Sequence, residues 1–508
     1  MIKGLLTLFI ILFLQGISLA FVVQETENST FSIETYLRTD VVSWKNVATL
    51  DSHNKDDSTT YFGIDYSIGF KSEFKDGGPQ FYLKLERNGP YDYDAPLFIH
   101  NTLMVQGDSH IEAYRNEELL PQVEEFWSDF SIPKTALRLK AGLISYDVGK
   151  GYVQGSGSYE NYGVCIYKPG DDFSWRFHYY RPDLVYKNRL GPRIKQEEEQ
   201  WIGYEPNAAN YFALDAEAKY KEHVFTPFVG LLTDYTSSGK RVNLFAVPVH
   251  KEVLGTFGFD YDLKLQDFSF GLEAARNFGQ AESTDPDFKD IRHKGYLVYA
   301  RSDYALGKLT PRAQFLYSSG NKVTPDMVEN GDLLYPGSTN RAFSVYSPTN
   351  LNLLDSHGPA ADSLPLVFFG WGYGLNYGVG CYRPSTLCDV AVLENLIMPS
   401  LGLDYSLNEK TKFSFDWWYM RANEAGFGML GGLPKELSKD LGHEVDLTVS
   451  YDLNKHANIS FSGGYFFPGK YFKEERDDTE GSLLSPYVRG DGRADGAYQF
   501  ELSMEFNF

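Results

Sequence analysis

The chain has 508 residues, a formal charge of −21, 43% hydrophobic and 16% aromatic residues, and 3 Cys. So acidic a balance excludes nucleic acid as a partner, because a phosphate backbone needs a basic footprint. The cysteines are too few for a disulfide-built scaffold, and no apolar run beyond residue 20 is long enough to be a spanning helix, so a membrane location would have to come from strands.

Lys3, the apolar run Leu5–Leu14, Gly16 and the Ser18-Leu19-Ala20 ending predict a cleaved signal peptide over residues 1–20. The apolar run is about half of the roughly 20 residues a membrane anchor needs. Phe21 in place of Cys after the cut argues against a lipid-anchored exporter tail.

The first strand is expected at Phe31, which leaves no room for a plug domain ahead of it. Phe62, Ile64, Tyr66, Ile68 and Phe70 then alternate with Gly63, Asp65, Ser67, Gly69 and Lys71. The same period of two recurs over Phe173–Arg181 and Phe257–Leu265, in runs close to the roughly 9–11 residues of a tilted membrane strand. Ala497–Phe508 places Tyr498, Phe500, Leu502, Met504, Phe506 and Phe508 on one face, with Gln499, Glu501, Ser503, Glu505 and Asn507 on the other. A strand of this kind ending on Phe508 fits the carboxy-terminal signal read by barrel-assembly machinery.

Strand pairs are joined by short polar segments, Leu265–Phe268, Leu306–Leu309, Leu407–Thr411 and Leu453–Ala457. Between pairs lie long polar stretches, 189–207, 280–294, 321–366, 422–439 and 470–495. Short turns on one rim and long loops on the other are the asymmetry of an outer-membrane barrel. The abundance of Tyr and Phe suits both strands and interfacial girdles. A single soluble β core strains beyond about 300 residues, whereas a barrel grows around its circumference. The expected fold is therefore all-β, a transmembrane antiparallel up-and-down barrel of about 18 strands with 16 also compatible, spanning residues 21–508 in the outer membrane. The stretch 321–395 is long enough to fold into the lumen or cap the mouth, and its prolines should interrupt strand structure.

Catalytic and metal signatures are thin. Gly155-Ser156-Gly157-Ser158 lacks the spacing of a nucleophile elbow, Gly370–Gly374 completes no dinucleotide fingerprint, and no His-Glu-x-x-His pair is present. Acidic runs at Asp285–Asp290 and Glu474–Asp478 read as solvated loops rather than Ca²⁺ sites. No cofactor or metal is implied. Cys381 and Cys388 could staple a loop or remain free thiols, and Cys165 lies on an expected strand with no evident partner.

Alternation assigns Arg138, Lys140, Arg176, Lys264 and Arg312 to the lumen, together with Asp65, Asp215, Glu217, Asp260, Asp262, Asp404, Asp416, Asp446 and Glu501. Arg138 and Arg176 are expected mid-strand, where they would either meet an anionic solute or pair with inward carboxylates and stiffen the wall. A one-residue slip would put the whole set outside.

Residues 441–451 (Leu441-Gly442-His443-Glu444-Val445-Asp446 onward), with Ile459–Gly469 across a short turn, resemble a hairpin of the alginate-export family of outer-membrane channels and its porin-like relatives. Phe315–Asn321 is similar to that family's aromatic strand running into a loop. The resemblance implies an 18-stranded barrel passing a hydrophilic solute, in the named member a polyanionic polysaccharide through a basic lumen. Here the inward charges are more acidic than basic. The reading from sequence is thus a passive channel for small hydrophilic or charged solutes, not an enzyme, held in outer-membrane lipid. A polysaccharide exporter, a structural or adhesive surface barrel and an outer-membrane lipase are the alternatives.

Overall fold

The computed structural model describes residues 21–46, 50, 58–75, 77–87, 122–144, 146, 148, 161–181, 209–234, 249–283, 290–322, 324–325, 339–341, 343, 364–368, 395–475 and 492–507. The expected signal peptide, Cys381, Cys388, Phe508 and most of the acidic run 285–290 lie outside them.

Eighteen antiparallel strands form one closed sheet. In chain order they are β1 Ser29–Lys45, β2 Ser58–Phe74, β3 Gln80–Arg87, β4 Gln122–Ser131, β5 Arg138–Ile144 and β6 Asn161–Lys168. There follow β7 Phe173–Tyr180, β8 Ala209–Tyr220, β9 His223–Asp234, β10 Val249–Lys264, β11 Phe268–Ser283 and β12 Tyr296–Tyr304. The circuit ends with β13 Leu309–Ser318, β14 Leu396–Ser406, β15 Thr411–Ala422, β16 Asp440–Asn454, β17 Ala457–Pro468 and β18 Ala497–Asn507. Each strand pairs with its sequence neighbour, and β18 returns to β1 in a register running from Tyr36↔Asn507 to Lys45↔Tyr498. Closure leaves no unpaired edge, which lipid would not tolerate.

Several strands outrun their sequence patterns. Pairing with β9 and β11 extends β10 back to Val249, and β1 starts at Ser29, behind a short strand Phe21–Glu25 that pairs with Thr30–Ile33. Backbone pairing thus continues past the point where side-chain alternation fades. Within 321–395, the described residues contribute a two-residue strand at Thr339–Asn340 and a turn over 364–368.

The short turns have local causes. Asn408 Oδ1 accepts from the N–H groups of Lys410 and Thr411, both at 2.9 Å, and Asn454 Oδ1 accepts from His456 N–H at 2.8 Å. Such Asx turns reverse the chain within a few residues. All the short connections fall on one rim, the periplasmic one in outer-membrane barrels, and the long connections share the other.

Period two sorts the side chains. Outward positions carry Phe126, Phe257, Leu401, Phe415, Leu447, Phe461, Phe500 and Leu502, all well exposed, as a lipid-facing surface requires. Cross-strand rings meet on that surface, for example Phe461 with Phe500 at 6.1 Å between centroids. The inward face has two layers. Nearer the short turns it is charged, while nearer the long connections it is apolar and packed, with Tyr180, Leu297, Leu316, Met398, Trp418, Met420 and Phe466 all buried.

Candidate functional site, a charged belt around the lumen

Inward parity brings the ionisable residues of successive strands side by side. Arg312 on β13 spans two strands: Nη1 lies 2.8 Å from Asp404 Oδ2 on β14 and Nη2 lies 2.6 Å from Asp416 Oδ2 on β15. Nη2 also donates to Ser414 Oγ at 3.2 Å. The guanidinium crosses β14 over Gly402, where a Cβ would sit 2.3 Å from Asp416 Oδ1 and 2.8 Å from Arg312 Nε. Glycine at that position is what lets a β13 side chain reach β15. Next to it, Arg301 Nη2 on β12 pairs with Asp303 Oδ1 at 2.9 Å.

At the barrel seam, Arg38 on β1 binds Glu501 on β18, Asp40 at 2.8 Å and Glu505 at 3.7 Å. Its planar fork matches several carboxylates at once, as a lysine could not. One cation thus ties the first strand to the last.

On the β5–β8 arc, Arg176 Nε donates to Asp215 Oδ1 at 2.9 Å, and Tyr146 donates its hydroxyl to Asp215 Oδ2 at 3.2 Å. Tyr146, from the segment after β5, lies with its ring centroid 3.5 Å from that of His178 and 5.7 Å from that of Tyr180. Asp215 is buried, whereas the Arg176 side chain keeps 49% of its surface. The guanidinium carbon lies 5.8 Å from the centroid of the Tyr146 ring, and no described residue accepts a hydrogen bond from the Nη atoms of Arg176. Its fork is therefore the one guanidinium among Arg38, Arg138, Arg176, Arg301 and Arg312 whose terminal donors are presented to the bore.

Arg138 differs from its expected place. It is the first residue of β5, beside the turn rather than mid-strand. Its Nε pairs with Asp129 at 2.9 Å, and its terminal nitrogens donate to the Gly77 and Gly78 carbonyls at 3.3 and 3.4 Å. The strand begins one residue later than alternation suggested, and the guanidinium is consumed in tying two short turns together. Lys140 faces inward with Nζ 3.9 Å above the Trp127 ring. Lys264 ends β10 at the short-turn rim, opposite Ser269. Asp260 and Asp262 face inward on β10, opposite Glu273 and Gly271 of β11.

The sequence-assigned lumen residues therefore occupy the inward face, but they are spread round the circumference as a belt and do not gather at one point. Cys165 is also inward and buried, with Sγ 3.6 Å from His178 Nε2. Among the described residues, no group of three or more His, Cys, Asp or Glu is placed to hold a metal ion.

From β10 to β18, the inward carboxylates Asp260, Asp262, Glu273, Asp303, Asp404, Asp416, Glu444, Asp446, Glu501 and Glu505 outnumber the described inward cations Lys264, Arg301, Arg312 and Lys412. That arc of the wall is acidic.

A closed 18-stranded barrel, apolar outside and charged within, has the architecture of an outer-membrane β-barrel. The alginate-export family model matches residues 372–484, a stretch containing β14 to β17. Over that stretch the chain is similar to the alginate-export family. No curated protein matches its sequence. In fold it is similar to Acinetobacter baumannii OccAB3, at 8% identity and a TM-score of 0.50 over 95% of this chain and 99% of that one. It is similar also to Pseudomonas aeruginosa OccK8 (OprE), at 8% identity and a TM-score of 0.50 over 94% and 98%.

Proposed function

We propose that the protein is a passive channel through which small hydrophilic solutes diffuse across the outer membrane, with a preference for cations set by the acidic arc. Barrel width carries the reading. About eight strands are filled by their own side chains, whereas about 16–18 leave an aqueous bore. Diffusion down a gradient needs no covalent step, so the belt acts only through its field and its hydrogen bonds. Export of a polyuronate is the reading the family match suggests, but the acidic arc would repel such a chain.

Within the belt, Arg176 is the local contact for an anionic group on a passing solute. Asp215 fixes its Nε side and leaves the fork free. The barrel-assembly machinery would read β18, whose outward face is apolar to its end.

Purified protein in a planar bilayer is expected to give discrete ion-conducting steps and, under a KCl gradient, a reversal potential on the K⁺ side. Arg176→Glu should move that potential further toward K⁺, since it replaces the one presented guanidinium with a charge like that of Asp215. An unchanged potential would remove Arg176 from the solute path.

A further inference from the structure

The long connection between β13 and β14 meets the wall at Leu364–Phe368, and it does so through backbone. Leu366 N–H donates to Asp446 Oδ2 at 3.2 Å, Phe368 N–H donates to Glu444 Oε2 at 2.8 Å, and Val367 N–H donates to Glu444 Oε1. Three successive amides thus converge on two carboxylates of one strand, Glu444 and Asp446, which share the inward face of β16. Consecutive N–H groups in a turn make a concavity suited to an anion. Among the described residues no Lys, Arg or His pairs with either carboxyl group; Glu444 shares a side-chain hydrogen bond with Asp446 and accepts turn amides on both its oxygens.

Shape adds a second hold. Val367, Phe368 and Glu444 are fully buried, and the Phe368 ring lies 5.6 Å from that of Phe466 on β17. Gly464 forms the seat beneath: a Cβ there would stand 2.8 Å from Val367 Cγ2, 3.2 Å from Leu366 Cβ and 2.4 Å from Asp446 Oδ1. Wall and turn are fitted by charge at one point and by the missing side chain at the next.

We propose that Glu444 is a positioning residue that sets the bore by clasping Leu366–Phe368 to the wall, with Gly464 as the seat. This rests on the channel reading given above. The clasp holds the turn against β16 and β17 at the boundary between the charged belt and the apolar layer, so that part of the long connection stays fixed inside the lumen.

Two variants attack the clasp by different routes. Glu444→Gln keeps the size but offers an NH₂ where one backbone N–H needs an acceptor, and Gly464→Val fills the seat and crowds Asp446 while leaving Glu444 unsubstituted. Each is expected to raise single-channel conductance, to admit larger polyethylene glycols, and to speed amide exchange in a peptide covering 364–368 by at least about tenfold, the scale of a lost charge-assisted hydrogen bond. Glu444→Asp should lie between wild type and Glu444→Gln in all three. Heat-modifiable mobility on gels reports that each variant is a folded barrel. Faster exchange with unchanged conductance and polymer cut-off would overturn the constriction role, and unchanged exchange in both variants would overturn the clasp. A silent wild-type barrel overturns the channel reading and the constriction role together, while exchange still reads the clasp independently.

Discussion

Arg38→Met is expected to weaken the barrel at its seam more than any other single inward substitution on the β1–β18 contact. The guanidinium is 9% exposed and binds Asp40 and Glu501, which are 0% and 8% exposed, so its removal strips this ion pair from two enclosed carboxylates. Breaking such a pair by deleting one partner costs about 3–5 kcal/mol. Glu505 is more open to water and adds little. The measurement is the urea midpoint of the folded barrel in detergent or lipid, followed by heat-modifiable mobility. A midpoint within error of wild type would mean that backbone pairing alone closes the barrel and the Arg38 network is dispensable. Methionine preserves most of the side chain's length, so the loss would be one of charge rather than of packing.

Leu401→Arg and Thr448→Arg should part company sharply, because the two residues face opposite sides of the same wall. Leu401 is mid-strand on β14 and 59% exposed on the outward face. An arginine at the hydrocarbon midplane of a membrane barrel costs about 2–4 kcal/mol. Thr448 on β16 faces the lumen and shares one hydrogen bond at 3.0 Å with Ser462, so arginine there costs only about 1 kcal/mol. Folding into lipid vesicles, read by the fraction folded against denaturant, is the comparison to make. Equal losses, or a larger loss at Thr448, would contradict the assignment of faces.

The alternation that places Leu401 outside and Thr448 inside was open to reading in the sequence, and so was most of the architecture. Phe500 against Glu501, or Phe415 against Asp416, declares its face because membrane strands separate lipid from water at every second residue. Strand ends were less legible. Arg138 looked mid-strand because Leu137-Arg138-Leu139-Lys140 alternates on both sides of the boundary, while the hydrogen bonds that start β5 at Arg138 leave no mark in side-chain type. Register with neighbours, a property of pairs of strands, decides the matter.

The belt itself was partly hidden. Inward direction follows from parity, but that Arg312 spans two strands to bind Asp404 and Asp416 depends on Gly402, distant in the chain from Arg312 and unremarkable alone. Arg38 escaped notice because its partners Glu501 and Glu505 lie at the opposite end of the sequence. The apolar inner layer did leave a signal, in runs where alternation lapses and both faces turn apolar: Trp417-Trp418-Tyr419-Met420 and Tyr465-Phe466-Phe467. Such runs mark the reach of strand where the inside is packed instead of wet, as the burial of Trp418, Met420 and Phe466 shows. Glu444 stood within the hairpin that resembles the alginate-export family, yet nothing local announces that a turn from the β13–β14 connection comes to rest on it.

The central claim is that the bore conducts and that its acidic arc sets the sign of selectivity. Single-channel recording of the wild-type protein in a planar bilayer under a KCl gradient tests both at once. Discrete steps with a reversal potential on the K⁺ side are the expected result. Silence at high protein load, or steps reversing on the Cl⁻ side, would contradict it.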